Sequence, residues 1–255
     1  MLTSPRLLCN IKVYYHGSIS LGAILISDLN RPNYKGRGSA RDYVYQTLRS
    51  NILYLDLKPG RKMSEQEVSD EFQVSRTPVR EVFVHLLQDE LVEIYPQRGT
   101  YVSLINLKHL EEGRFVRELM ETAVVREAAG RLSKDDIFQM ESNLASQVIS
   151  CRNKNYLQML ALDDAFHAAI FRACGKERTW SMVQQLGYDF IRVRVLRLSH
   201  DFHWEKILSQ HQSIFRALKN GDAKEAQAIM AEHLRLVIVE KEQLTSDYPE
   251  YFAGL

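Results

Sequence analysis

The stretch from residue 75 to residue 102 constrains the fold more than any other, because a helical pattern is followed at once by two strand-like runs. Residues 91–95 and 100–104 are β-prone, and Gly99 in the loop between them can adopt the positive φ that a hairpin needs. The preceding helix has apolar residues at positions i, i+3, i+4, i+7 and i+8: Val79, Val82, Phe83, Leu86 and Leu87.

The polar side of this helix carries groups that suit DNA. Arg76 and Arg80 would reach guanine edges or phosphates from a helix in the major groove, and Ser75 or Thr77 can cap its first turn. Arg98, in the hairpin loop, would reach the neighbouring backbone or minor groove. An amphipathic helix with two arginines is also typical of a core helix with a solvated face. The residues that we expect to bind DNA are Ser75, Arg76, Thr77, Arg80, Arg98 and Gly99.

Two further helices are predicted upstream. An apolar face recurs over residues 40–54, and Pro59 and Gly60 end that helix. Ser64 and Glu67 have the spacing of a capping box at the start of a second helix. With the helix from residue 75 and the hairpin, these segments predict a winged helix-turn-helix.

The motif Ser-Arg-Thr-Pro-Val-Arg at residues 75–80, with Pro-x-Arg-Gly-x-x-Val after it, resembles the DNA-binding domain of the GntR family of bacterial transcription regulators. The resemblance covers about residues 40–102. One departure is Glu90, where the family usually has glycine, so we expect a less favourable helix end there. The resemblance implies that a homodimer binds double-stranded DNA at a short palindromic operator.

Composition and charge set further limits. The formal net charge is only +1, but basic residues are concentrated between Arg31 and Lys62, beside the predicted DNA-binding helix. A solvated face is the alternative interpretation of that concentration. Cys9, Cys151 and Cys174 form neither a paired framework nor a Cys-x-x-Cys site, and no apolar run approaches bilayer length. We therefore expect a cytoplasmic protein with no membrane partner.

Beyond residue 105 the helical signal is nearly continuous. We expect a mainly α protein in three parts: a poorly ordered extension (1–38), the winged helix-turn-helix (39–104) and an all-α bundle of six or seven helices (105–248). The predicted helices of the bundle, of which the first is long enough to be bent or split, cover residues 107–131, 134–151, 155–174, 178–199, 203–219 and 222–244.

A second set of polar residues lies within the predicted bundle. Asp163 and His167 are four residues apart, so they project from one face of a helix. His211 and His233 lie in apolar-periodic contexts on the last two predicted helices. One carboxylate and three imidazoles would suit a divalent ion, zinc first, with nickel or manganese as alternatives. A single histidine on such a face is more often a core or surface residue, and the spacing does not establish that the three meet.

The order of these residues resembles the FCD ligand-binding domain of the FadR-type branch of the GntR family. The resemblance implies that Asp163, His167, His211 and His233 hold an ion in the middle of the bundle and leave room for a small organic acid.

Two arginines are candidates for binding that acid. Arg117 matches the family's arginine in the first bundle helix, although a surface ion pair with Glu118 or Glu121 is an equal alternative. Arg194 is the other candidate, and the sequence does not choose between it and its neighbours Arg192 and Arg197.

These features predict a DNA-binding transcription regulator that responds to a small carboxylate effector and is not an enzyme. One alternative is a metal-dependent hydrolase or lyase tethered to DNA. Four protein ligands are more than most catalytic zinc sites use, and no general base stands beside them. The other alternative is a constitutive repressor whose metal is purely structural.

Overall fold

The structure is a computed structural model that describes Leu29 and residues 39–197, 204–239 and 241–254. It divides into two compact units, the first ending at Ser103 and the second beginning at Leu104. Apart from Leu29, the predicted extension over residues 1–38 lies outside the described residues.

The described part of the first unit combines helices with a small sheet. Its elements are α1 (Ala40–Leu53), β1 (Lys62–Met63), α2 (Glu65–Phe72), α3 (Arg76–Gln88), β2 (Val92–Tyr95) and β3 (Gly99–Val102). Ser39 and Asp42 form a capping box at the start of α1, and the hydroxyl of Ser64 caps α2 by accepting from the amide of Glu67. In a complete capping box the Glu67 carboxylate would also accept from the amide of Ser64. It pairs instead with Arg61, 3.2 Å away.

The core of this unit lies between α1 and α3. Its fully buried residues include Val44, Leu48, Ile52, Val79, Val82 and Leu86. Leu87, which we expected in the same apolar stripe, is instead 42% exposed. It lies about 80° around the helix from Val79, which is beyond the edge of the buried face.

The wing is an antiparallel sheet in the order β1-β3-β2. Tyr95 pairs with Gly99 across the hairpin, and Lys62 of β1 pairs with Tyr101 of β3. Gly99 has a φ of +119°, as the sequence predicts, and a Cβ there would lie 2.9 Å from Cε of Lys62. The sequence does not predict β1, because two residues are too few to carry a period.

The C-terminus of α3 differs from the expected poor cap. Glu90 itself adopts a φ of +59°. The amide of Leu91 donates to the carbonyl of Leu86 at 2.9 Å, and the amide of Glu90 donates to that of Leu87 at 3.0 Å. This is a Schellman ending, so Glu90 takes the conformation that glycine adopts more easily.

The second unit is a helical bundle, which confirms the expected fold class. Its elements are α4 (Leu107–Ala128), α5 (Lys134–Arg152), α6 (Tyr156–Ala173), α7 (Glu177–Leu186), α8 (Tyr188–Arg197), α9 (Trp204–Asn220), α10 (Ala223–Val239), α11 (Lys241–Asp247) and a 3-10 turn (Pro249–Tyr251). None of the helices described is long and apolar enough to cross a membrane.

The break in the helices is not where we expected it. α4 is continuous, whereas the helix predicted over residues 178–199 is divided into α7 and α8 at Gly187. A Cβ on Gly113 of α4 would lie 2.9 Å from the carbonyl oxygen of Leu186 and 3.3 Å from Cα of Gly187. The end of α7 therefore approaches α4 backbone to backbone, and the chain turns there.

The second unit also continues past residue 248, its expected end. The amide of Ile105 donates to the carbonyl of Tyr251 at 2.8 Å, and the amide of Ala253 donates back to Ile105 at 3.0 Å. These bonds join the two ends of the unit beside Phe252, which is 4% exposed.

Candidate metal centre and DNA interface

The predicted metal ligands meet inside the bundle. Asp163 and His167 come from α6, His211 from α9 and His233 from α10, and all four side chains are buried. One ligand atom from each lies within 4.8 Å of those from the other three. The spacing of four residues on α6 therefore does bring both of its ligands to one point.

The imidazole Nε2 atoms face one another. Nε2 of His233 lies 3.2 Å from Nε2 of His167 and 3.4 Å from Nε2 of His211. The carboxylate of Asp163 lies 3.4 Å from Nε2 of His211 and 3.7 Å from Nε2 of His167. Three ring nitrogens and a carboxylate therefore surround one small space, which is the arrangement that a divalent cation requires.

Outer partners fix which nitrogen faces inward. Nδ1 of His211 lies 2.8 Å from Oε1 of Gln147, and Nδ1 of His233 lies 3.2 Å from Oε1 of Gln210. An amide oxygen only accepts hydrogen bonds, so each Nδ1 carries the proton and each Nε2 presents its lone pair to the centre. Without a cation, these lone pairs would repel one another at such short distances.

The third histidine has a carboxylate as its outer partner. Nδ1 of His167 is in contact with Oε2 of Glu121, which is 1% exposed. The other oxygen of Glu121 accepts from Nε of Arg117. The result is a carboxylate–histidine pair of the kind that orients metal-binding imidazoles, and it is linked directly to Arg117.

The charges suit the same ion. Burial lowers the pKa of His211 to about 3, and burial together with the neighbouring histidines puts the pKa of His233 well below its usual range. Burial alone would raise the pKa of Asp163, but the charge of Arg194 and the interactions with the nearby histidines outweigh it and lower that pKa well below normal. Neutral imidazoles and an ionised carboxylate are the protonation states that metal binding needs.

The three outer partners, Glu121, Gln147 and Gln210, were not predicted from the sequence. Each is a polar residue on the buried face of its helix, as Gln147 is after Met140 and Leu144. A polar residue inside an apolar stripe is the signal that could have identified them.

A small cavity beside the metal centre contains both arginines predicted to bind an effector. Arg117 and Arg194 line it together with Arg197, Asp163 and His233. Other residues around it are apolar: Phe190, Trp204, Ile207, Leu234 and Leu236. The cavity is therefore a cationic, partly apolar space that reaches two of the metal ligands.

Each arginine in this region has a defined partner. Arg117 pairs with Glu121, one of its two expected partners, but it is only 6% exposed, so the pair is not a surface one. Arg194 donates to Asp163 at 2.5 Å and to Asp164 at 2.7 Å. Arg192 is bound to Asp189 and does not line this cavity.

The predicted DNA-binding residues are at the surface of the first unit. Ser75, Arg76, Thr77 and Arg80 are exposed at the start of α3, and Arg98 is exposed in the loop of the wing. Gly99 is half-buried and shapes that loop. Ser75 takes the backbone position of the N-cap, but its hydroxyl makes no capping hydrogen bond within the described chain.

Two of these residues contact α2. Nε and Nη2 of Arg80 each donate to a different oxygen of Glu65 at 3.0 Å. Arg76 donates to the side-chain oxygen of Gln66. The first turn of α2 therefore lies against both arginines of α3.

Two family models match this chain. The model for bacterial regulatory proteins of the gntR family matches residues 40–102, and the FCD domain model matches residues 114–236. The HTH-type transcriptional repressor RspR of Escherichia coli K12 is 34% identical over 210 residues, which is 82% of this chain and 92% of RspR. The galactonate operon transcriptional repressor of the same strain is 26% identical over 74% of this chain and 91% of its own length.

A solved structure supports the fold. E. coli McbR/YncC has a TM-score of 0.70 at 19% identity, over 83% of this chain and 99% of its own. The relatives are named as transcriptional regulators and repressors, which argues against the tethered hydrolase or lyase: the chain is a DNA-binding regulator and not an enzyme. The match to both family models and to RspR shows that the chain belongs to the GntR family of bacterial transcription regulators and carries an FCD domain after its DNA-binding domain.

Proposed function

We propose that the protein is a repressor that binds a palindromic operator as a homodimer, in the cytoplasm, and that a small carboxylate bound beside a metal ion changes its operator affinity. The observation that carries the proposal is the cavity in which Arg117 and Arg194 lie next to Asp163 and His233. Repression is inferred from relatives that are named repressors.

The metal would be held by Asp163, His167, His211 and His233. Zinc is the first candidate, because it accepts mixed nitrogen and oxygen ligands, and nickel and manganese are alternatives. When bound, the ion would supply positive charge and a coordination position for an oxygen anion. Gln147, Gln210 and Glu121 would keep the three imidazoles in the correct tautomer and orientation.

The effector would be a small organic acid. Arg117 lies between two aromatic rings, with its guanidinium carbon 5.0 Å from the ring centre of Phe190 and 5.6 Å from that of Trp180. Its planar group can bind a carboxylate with two parallel hydrogen bonds. Arg194, which donates to Asp163, would contribute a second guanidinium. The name of the galactonate operon repressor, which refers to a sugar acid, supports this class of ligand.

Regulation would follow from differential affinity. If the acid binds one arrangement of the protein more tightly than the other, operator affinity changes by the same free-energy difference. A ligand that binds both arrangements equally would change nothing.

The homodimer would form through α4. Phe115 and Leu119 are 56% and 52% exposed on its outer face. Glu112 and Arg126 lie on the same face, seven residues before and after Leu119, and neither has an ion-pair partner among the described residues. Two copies of α4 that cross antiparallel at Leu119 would set Glu112 opposite Arg126 twice, and Phe115 opposite the small Ala123.

Charge reversal tests this arrangement. Glu112→Arg and Arg126→Glu should each raise the dimer dissociation constant at least tenfold, measured by sedimentation velocity, because each sets like charges opposite one another twice. The double variant should recover the wild-type value. If both single variants dimerise as the wild type does, α4 is not the dimer helix.

Elemental analysis tests the metal centre. Wild-type protein purified without a metal-affinity column should contain about one divalent ion per chain, and His167→Ala and His211→Ala should lose it. Wild-type protein without metal would remove the basis for the metal-dependent effector site. It would leave the DNA-binding role intact.

Operator titrations then separate effector control from a constitutive repressor. Small carboxylates added to the metal-loaded protein should change operator affinity, and Arg117→Ala should abolish the change. A structural metal predicts instead that chelation melts the bundle and that no carboxylate alters DNA binding.

Arg80→Ala should weaken operator binding roughly 10- to 100-fold if this residue reads a base edge.

A further inference from the structure

The pair between Arg80 and Glu65 is bidentate although Arg80 is exposed and Glu65 partly exposed. Nε and Nη2 of Arg80 lie 3.0 Å from Oε1 and Oε2 of Glu65, so the guanidinium and the carboxylate meet fork to fork. The Arg80 side chain is 69% exposed and that of Glu65 33% exposed. An ion pair this exposed adds little to stability, so its consequence lies elsewhere.

The pair leaves one edge of the guanidinium available. Nη1 and the second hydrogen of Nη2 point away from Glu65, and Nη1 has no partner among the described residues. This remaining edge has the two parallel donors that match O6 and N7 of guanine. A flexible arginine loses considerable rotamer entropy when it binds, and Glu65 holds Arg80 in one conformation beforehand.

The charge of Glu65 also affects what Arg80 prefers to bind. Hydrogen bonds from Arg80 lower the pKa of Glu65, so the carboxylate is ionised at neutral pH. A carboxylate beside Arg80 repels phosphate, whereas a guanine edge is uncharged. Arg80 paired with Glu65 is therefore less attracted to the phosphates of the DNA backbone. The N–H groups on its remaining edge can still donate to a base.

Arg76 offers an internal contrast. Its partner is the side-chain oxygen of Gln66, the residue after Glu65. An amide is neutral, so the hydrogen-bond partner of Arg76 does not itself repel phosphate, and the charge of Glu65 acts on Arg76 less strongly than on Arg80. The two arginines of α3 are thus held by neighbouring residues of α2 that differ in charge.

We propose that Glu65 is a positioning residue that directs Arg80 to a base edge and away from phosphate, and so contributes to the choice of operator over other DNA. The proposal rests on the DNA-binding role proposed for Arg80. Glu65 acts through Arg80 and needs no contact with DNA.

The test compares two affinities for each variant. The operator probe is a duplex selected by the full-length wild-type protein from a random library, and the second probe is a scrambled duplex of the same length and composition. Fluorescence anisotropy at several salt concentrations gives both dissociation constants and their salt slopes. Glu65→Gln should lower the ratio of operator to scrambled affinity about tenfold and increase the salt slope for scrambled DNA by about one, because Arg80 becomes free to bind phosphate.

Glu67→Gln is the matched control. It makes the same charge change on the same helix, but Glu67 pairs with Arg61 and not with α3. It should shift both affinities together and leave their ratio unchanged. In the Arg80→Ala background, Glu65→Gln should have no further effect on the ratio.

The outcomes separate this proposal from the one on which it rests. A wild-type protein that selects no duplex, or an Arg80→Ala variant with an unchanged ratio, would overturn the role of Arg80 and the positioning role with it. The positioning role alone would be overturned by a different result. In that case the wild type prefers the operator and Arg80→Ala lowers the ratio of operator to scrambled affinity, but Glu65→Gln leaves the ratio unchanged, as Glu67→Gln does.

Discussion

Glu121→Gln should weaken metal binding about 10- to 100-fold without changing any metal ligand. Glu121 contacts Nδ1 of His167 with one oxygen and accepts from Arg117 with the other. Burial would raise its pKa, but the interactions with Arg117 and His167 outweigh burial and lower it to about 2, so the native side chain is charged at neutral pH. Glutamine keeps an oxygen acceptor and removes the charge.

The magnitude follows from the loss of an outer carboxylate. The expected change in affinity corresponds to about 1.4 to 2.7 kcal/mol. The variant also leaves the buried Arg117 without its counter-charge, and removing one partner of a buried pair can cost about 3 to 5 kcal/mol of stability. Affinity must therefore be measured where the protein is still folded, by competition with a chromophoric chelator after circular dichroism has established the helical content.

Glu118→Gln provides the matched control. Glu118 lies three residues earlier on α4 and pairs with Arg235 and Arg114, away from the histidines. It should retain metal affinity within about twofold. If a folded Glu121→Gln variant also binds metal within twofold of the wild type, then Glu121 does not orient His167, and the argument from the outer carboxylate is wrong.

Two predictions concern the stability of the first unit. Glu90→Gly should stabilise it by roughly 0.5 to 1 kcal/mol in urea unfolding, because glycine accepts the φ of +59° without strain; a destabilised variant would contradict this. Burial raises the pKa of Asp56 from 3.8 to about 6. The folded unit therefore holds a proton that the unfolded chain releases, and stability should fall as the pH rises from about 4 to 6. Asp56→Asn should remove that slope and add roughly 1 to 2 kcal/mol at pH 8, allowing for partial exposure.

The sequence predicted most of the first unit because its signals are local. The Ser64 cap of α2, the turn at Gly99 and the apolar stripe of α3 each depend on residues a few positions apart. Glu90 shows the limit of such signals. The unfavourable residue at this helix end indicated a poor cap, but the two backbone hydrogen bonds of the Schellman ending form all the same.

The metal ligands could be named from their order along the chain, but their surroundings could not. Gln147 lies 64 residues from His211, and Glu121 lies 46 residues from His167, so only the packing of α4, α5, α6 and α9 brings them together. The division at Gly187 has the same origin. The division lies where α4 approaches closely at Gly113, and the residues from 178 to 199 carry no information about that contact.

The charges around the cavity explain why carboxylate binding should require the metal. Among the residues that the structure describes, three arginines near the cavity face three carboxylates: Arg117, Arg194 and Arg197 against Glu121, Asp163 and Asp164. Because burial keeps the pKa of His211 at about 3, that imidazole adds no charge at neutral pH. A divalent ion would therefore add two positive charges that these side chains do not compensate, in a place shielded from water, and an anion is the group that would compensate them. Chelation should thus abolish the thermal shift produced by a small carboxylate, although every arginine is still present. If the chelated, folded protein keeps that shift, the arginines alone bind the acid and the charge argument is wrong.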